Sequence, residues 1–323
     1  LESITLEDVK AFAKRQYTRG NLVLGINGDV QEAMVAGLRA SLSALPAGTP
    51  AAAPAARPRL AGKRSNGMEV EIIEKDTRAT AISIGVPIEV TRTHADFAAL
   101  SVARAWLGEH RMSTSHLYQR IRGIRGMNYG DYAYIEAFPR GMFQFFPDAN
   151  IARRAQIFEM WIRPVTPENA HMALRIATHE LDQLVSRGLS EADFQAARQY
   201  LMKNVYVMTA TQDQQLGYAL DSKWYGMPEF TTHMRASLQK LTRDDVARAL
   251  KQHVSAKDLS VVIITKDAAG LRSALLADAP STIKYDGEKP QTLLDEDRII
   301  GARKLGLSAD RVRITPVEEV FAK

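Results

Sequence analysis

Two residues at a fixed spacing offer the clearest chemistry in this sequence: Arg122, and Tyr129 seven positions later. A guanidinium and a phenol both donate hydrogen bonds to a carbonyl oxygen. Aimed into one space, they could both reach the same carbonyl oxygen at the edge of a sheet. Both lie in the stretch 117–136. That stretch begins as an amphipathic turn of helix with Leu117, Ile121 and Ile124 on one side, and Gly123 and Gly126 break it. It then alternates as a strand, with Tyr132, Tyr134 and Glu136 on one face and Ala133, Ile135 and Ala137 on the other. Arg122 is therefore expected near a helix end and Tyr129 at a strand start, at the edge of a sheet. The bland alternative makes Arg122 one of several surface arginines, with Arg120 and Arg125, and Tyr129 a rim aromatic.

Bulk composition narrows the function classes. The chain has 323 residues, enough for one large domain or two ordinary ones, and 46% of them are hydrophobic. The net charge of +5 is dispersed, without a Lys/Arg block of the kind that marks a nucleic-acid arm. Cysteine is absent, which removes disulfides, thiolate catalysis and cysteine metal ligands but leaves the compartment open. No apolar run approaches the ~20 residues of a membrane span. The sequence opens on Leu1-Glu2-Ser3, with no initiator Met and no signal peptide, and reads as a fragment or processed product.

The positioning elements follow from periodicity and punctuation. Thr5-Leu6-Glu7-Asp8 reads as a helix cap, with Val9, Phe12, Ala13 and Tyr17 on the apolar face. Residues 21–26 read as a short strand and 30–45 as a helix facing inward through Val35, Leu38, Leu42 and Leu45. An Ala/Pro-rich linker spans 46–66. Beyond it, 69–74 and 79–88 read as paired strands, 96–108 as a helix, and 141–146 and 156–165 as further strands. Helices are expected over 166–188, 190–207, 211–225 and 242–254, then a strand over 258–265 and a short helix over 268–276. The segment 280–323 is charged and broken by Pro and Gly, with Leu293, Ile299, Ile300, Leu305 and Val312 available to pack it onto the body.

A repeat is concealed in this order. At an offset of 237, Thr5 meets Thr242, Asp8 meets Asp245 and Val9 meets Val246. Leu22, Leu24 and Ile26 then meet Leu259, Val261 and Ile263. Both copies run capped helix, short turn, apolar strand. Residues 1–45 then form the end of a first domain, 67–279 a complete second one, and 280–323 a C-terminal extension.

Several local patterns occur in the order found in one family. Residues 17–29 (YTRGNLVLGINGD) form a domain-ending turn and strand, 113–129 carry a Ser-rich approach, helix and Arg-x6-Tyr, and Gly188-Leu189-Ser190-Glu191 joins two helices. Together they resemble the M16 (insulinase/pitrilysin-type) zinc peptidases and their non-catalytic relatives. The resemblance implies an α+β fold: a two-layer domain with a mostly antiparallel sheet packed on helices, preceded by the tail of a related domain. In that family a first-type domain binds zinc through His-x-x-Glu-His. A second-type domain supplies an Arg/Tyr pair across a clam-like chamber.

The seven histidines here (positions 94, 110, 116, 171, 179, 233 and 253) form no His-x-x-Glu-His. His179-Glu180 begins the reverse order, but Gln183 stands at the second histidine position, so both read as helix-surface residues. His110 and His116 flank a Ser/Thr-rich turn and read as structural or solvated. By resemblance, Tyr129 donates to the oxyanion of a tetrahedral intermediate and Arg122 holds a substrate backbone carbonyl. No metal ligand and no cofactor are expected in this chain. Zinc would come from a complementary M16 domain or subunit, in a homo- or heterodimer, and the substrate would be a peptide. Alone, the chain is expected to be inactive. Two other readings compete: a catalytically inactive scaffold or core subunit, and an anion-binding module built on Arg120, Arg122 and Arg125.

Overall fold

The computed structural model describes residues 2–49, 64–136 and 149–322. These form two compact units: residues 2–49, 149–152 and 204–235 make the smaller, and the remainder the larger. The strand expected over 141–146 and most of the linker lie outside the described residues.

Six strands pair among the described residues: β1 (Glu69–Glu74), β2 (Thr80–Ile88), β3 (Asn128–Tyr134), β4 (Gln156–Val165), β5 (Ser260–Thr265) and β6 (Val312–Pro316). Ten α-helices accompany them: α1 (Leu6–Gln16), α2 (Glu32–Leu42), α3 (Phe97–Gly108), α4 (Ala170–Arg187), α5 (Glu191–Met208), α6 (Gln212–Tyr225), α7 (Phe230–Lys240), α8 (Arg243–His253), α9 (Ala268–Ala277) and α10 (Gln291–Gly301). The capping boxes read from the sequence at Thr5 and Thr242 are present, at Ser190 the Asp193 N–H donates to the serine hydroxyl as expected, and Thr211 adds a box the sequence reading did not pick out. Thr5 and Asp8 start α1, Thr211 and Gln214 start α6, and Thr242 and Asp245 start α8. Each ties two otherwise orphaned N–H groups at a helix start.

The strands form one sheet in the order β3-β4-β2-β5-β1-β6. Pairings β3·β4, β4·β2 and β2·β5 are antiparallel, while β5·β1 and β1·β6 are parallel. The sheet is thus mostly antiparallel and lies in a layered α/β arrangement, as the sequence implied. One expectation fails: β1 and β2 are not partners, because β5 lies between them and bonds to both. Strict alternation along β2 buries Ile82, Ile84, Val86 and Ile88 on one face. The sheet's buried face is covered mainly by α3, α4 and α9, with α8 packed on α3 and α4 and α10 on α4. The segment after 280 is integral to this unit, since it adds β6 to the sheet edge and α10 to the helix layer.

The smaller unit is differently built. Neither α1 nor α2 buries a single residue. The inward positions expected in the second helix, Val35, Leu38, Leu42 and Leu45, are half-buried. The short strand expected over 21–26 is not formed: residues 22–27 belong to no described helix or strand. One face of that stretch meets α6 so closely that a Cβ on Gly25 would lie 2.7 Å from Leu216, and Asn27 donates to the Gln212 carbonyl at 2.8 Å.

Candidate functional site

The site grows from a single wide turn. Residues Tyr118–Gly123 wind as a π turn, with the Ile124 N–H donating to the Gln119 carbonyl at 3.0 Å. Leu117 and Ile121 are completely buried and fix its inner side. Gly126, at φ +66°, ends it in the left-handed conformation that glycine adopts without a Cβ penalty. Met127 then donates back to the Ile121 carbonyl at 3.2 Å, and β3 begins at Asn128.

This path brings the expected pair together. Arg122 Nη1 donates to the backbone carbonyl of Tyr129 at 2.7 Å. Its guanidinium carbon lies 4.6 Å from the centre of the Tyr129 ring and 5.0 Å from that of Tyr118, both within cation–π range. Tyr129 itself is 67% exposed. β3 is the terminal strand among the described residues. The guanidinium retains further N–H donors beyond the one spent on Tyr129.

The three arginines of the turn are not equivalent. Arg125 is wholly buried and bonds Asp297 Oδ1 at 2.7 Å, Glu296 Oε2 at 2.8 Å and the Arg120 carbonyl at 2.7 Å. Arg120 bonds Glu180 Oε1 at 2.7 Å and Glu296 Oε1 at 2.6 Å. Among the described residues, no carboxylate forms an ion pair with Arg122. An anion-binding patch of three free arginines is therefore not present.

Sequence reasoning misplaced Glu180. It is buried rather than on a helix surface, because His116 Nε2 and Arg120 Nε both reach it at 2.7 Å. Burial opposes its charge, but those two bonds prevail and hold its carboxyl down at about 2. His116 also stacks on Trp106 with centroids 4.1 Å apart, and His110 Nδ1 lies 2.6 Å from the Tyr134 hydroxyl. Both histidines engage neighbouring side chains of the same chain. Asp131 is a further residue that spacing did not flag. Two positions beyond Tyr129, it is completely buried. One carboxylate oxygen takes a bond from Asn128 at 2.5 Å and the other has no partner among the described residues. Burial pushes this carboxyl up to about 8, against the Asn128 bond and the nearby Arg122 charge. Its one sequence signal was an acid in the middle of a stretch that alternates as a strand.

The residues do not fit a catalytic zinc. Among the described residues, the one grouping with the right ligand types is His94, Asp96 and His253. Its carboxylate is already occupied: Arg248 grips both oxygens, at 2.5 and 3.1 Å, and His253 Nε2 lies 2.8 Å away. The Arg248 guanidinium, aided by His253, overcomes burial and holds Asp96 down at about 2. This is an ion-paired cluster, and the open coordination position of a catalytic zinc has no counterpart there.

Comparison with solved structures places the fold. The chain resembles the peptidase M16 inactive domain from Pseudomonas fluorescens, at 20% identity and a TM-score of 0.65, over 81% of this chain and 57% of that one. It also resembles the first half of the periplasmic protease PqqL of Escherichia coli, at 15% identity and a TM-score of 0.62, over 95% of this chain and 62% of that one. Residues 3–201 match the family model described as the peptidase M16 inactive domain, and the chain belongs to that family. An uncharacterised zinc protease of Streptomyces coelicolor is 26% identical over 279 residues, 84% of this chain. The chain spans 56% of that relative's length, little more than half.

Proposed function

We propose that this chain supplies the substrate-binding, oxyanion-stabilising part of an M16-type zinc peptidase that cleaves peptides in a closed chamber. Zinc is held by a domain or subunit outside the chain. The observation that carries this reading is the convergence of Arg122 and Tyr129, seven residues apart, with the guanidinium 4.6 Å from an exposed phenol ring. In this reading Tyr129 donates to the developing oxyanion and Arg122 holds a backbone carbonyl of the peptide. A preorganised donor of this kind is worth about 10²–10³ in rate.

The internal repeat supports the partner half of the reading. Val246 and Val261 are 0% and 1% exposed in the complete copy, whereas their counterparts Val9 and Leu24 are 53% and 52% exposed. In the complete copy, β5 is flanked by two strands, and α8 packs on α3 and α4. Residues 1–45 carry the same apolar surface without that cover, as the end of a first M16-type domain does.

A second reading, the inactive scaffold, draws on one fact: Arg122 already spends a bond on the Tyr129 carbonyl of its own chain. Location of the metal is tested by incubating the purified chain with a quenched peptide, zinc and chelator. The expected result is no hydrolysis under any condition. Cleavage that a chelator abolishes would overturn the placement of zinc outside this chain.

A further inference from the structure

Burial of Leu117 and Ile121 anchors the turn that carries Arg122 on its inner side. It is a single π turn that ends in Gly123, with Gly126 three residues later, and both glycines add backbone freedom. A cavity of about 550 Å³, lined by Arg120, Gly123, Ile124, Lys289, Leu293 and Glu296, lies between the turn and α10.

Charged side chains bridge that gap. Glu296 receives Arg120 and Arg125, and Asp297 receives Arg125. Two further bonds end on backbone carbonyls that bracket Arg122. Arg125 Nη1 donates to the Arg120 carbonyl at 2.7 Å, and Lys289 Nζ donates to the Ile124 carbonyl at 3.0 Å. The acids are themselves held. The Tyr285 hydroxyl donates to Asp297 Oδ2 at 2.5 Å, and α10 buries Leu293 and Ile300. Where the segment starts, Arg175 reaches the Ala279 carbonyl at 2.9 Å, and Ser281 N–H donates to the Gly301 carbonyl at 3.0 Å. Further on, β6 bonds to β1 at the sheet edge opposite β3.

We propose that the segment from residue 280 onward is a positioning clamp for Arg122, with Glu296 and Asp297 as its positioning residues. They fix Arg120 and Arg125 on either side, so that Arg122 alone of the three is left to face Tyr129. This inference rests on the reading of Arg122 and Tyr129 as the substrate-binding pair. It gives the C-terminal segment a part in peptide binding without any contact with peptide.

Two measurements on the full chain and its assembled peptidase test it. Glu296→Gln is the variant of choice because Glu296 is 35% exposed at its side chain, whereas Asp297→Asn strips charge from beside the wholly buried Arg125. Hydrogen exchange is read at the amides of Ile124, Gly126 and Met127, whose bonds define the turn. The clamp predicts exchange faster by about tenfold or more there, with the β2 amides unchanged. Peptide turnover is then measured for Glu296→Gln, Arg122→Ala and the double variant. The clamp predicts that Glu296→Gln lowers kcat/KM several-fold alone and adds nothing once Arg122 is gone. Unchanged exchange overturns the clamp whatever turnover does. Accelerated exchange with losses that multiply in the double variant overturns the link to Arg122. Turnover indifferent to Arg122→Ala instead sinks the substrate-pair reading, and with it the purpose assigned to the clamp.

Discussion

Replacing Asp131 by asparagine should change how stability depends on pH, and the sign follows from burial. The ordinary carboxyl value is 3.8, and in the folded chain it is raised to about 8. Between those values the folded protein keeps a proton that the unfolded chain has released. The stability contributed by the protonated form is full below about 3.8 and declines as pH rises, until it is lost through about 8. One pKa unit is worth ~1.4 kcal/mol. The window of roughly four units therefore amounts to about 6 kcal/mol as an upper bound, because a buried site relaxes around a new charge. The amide of the Asp131→Asn variant has nearly the same shape as the carboxyl and no proton to lose. Denaturant unfolding of both proteins from pH 5 to 9 isolates this group, since every other titration cancels in the difference. The wild type should lose stability relative to Asp131→Asn as pH rises, and the variant should be the more stable at pH 9. Parallel curves across the whole range would refute a protonated buried Asp131.

Two further stability effects follow from buried charges. Arg175 is completely buried and holds Asp278 at 2.7 Å, so Arg175→Met should cost about 3–5 kcal/mol, with Asp278→Asn in the same chain recovering part of it; a shift under about 1 kcal/mol in denaturant titrations would contradict this. Glu180, held at about 2, contributes stability that is present above its ordinary 4.5 and lost as pH falls toward 2. Glu180→Gln should therefore flatten the acid limb of the stability curve, and an unchanged limb would show that the His116 and Arg120 bonds do not stabilise the charge.

Local signals in the sequence were enough for much of this structure. Thr5 and Thr242 announced helix starts because a hydroxyl three residues before an acid satisfies specific N–H groups. The alternation in β2 announced which face is buried. Arg122 and Tyr129 stood out because their seven-residue spacing straddles a helix end and a strand start and matches the family's Arg-x6-Tyr. What stayed hidden depends on partners far away in the chain. β1 and β2 look like a hairpin, yet β5, nearly 200 residues later, separates them. Glu180 looked solvated because nothing near it in sequence neutralises it; His116 and Arg120, 64 and 60 residues earlier, do so. Glu296 and Asp297, which hold Arg120 and Arg125 from the C-terminal side, lie more than 160 residues further along, in a segment whose Pro and Gly breaks hid the helix that carries them. Asp131 violates the rule that strand interiors are apolar, and such violations tend to lie close to sites.

Tyr129→Phe in the assembled peptidase removes one hydroxyl and little else. The ring is 67% exposed, so unfolding stability should move by no more than about 0.5 kcal/mol. If Tyr129 donates to the oxyanion, kcat should fall by about 10²–10³ while KM changes little. A variant that turns peptide over at the wild-type rate would contradict the catalytic reading and leave the chain as a scaffold.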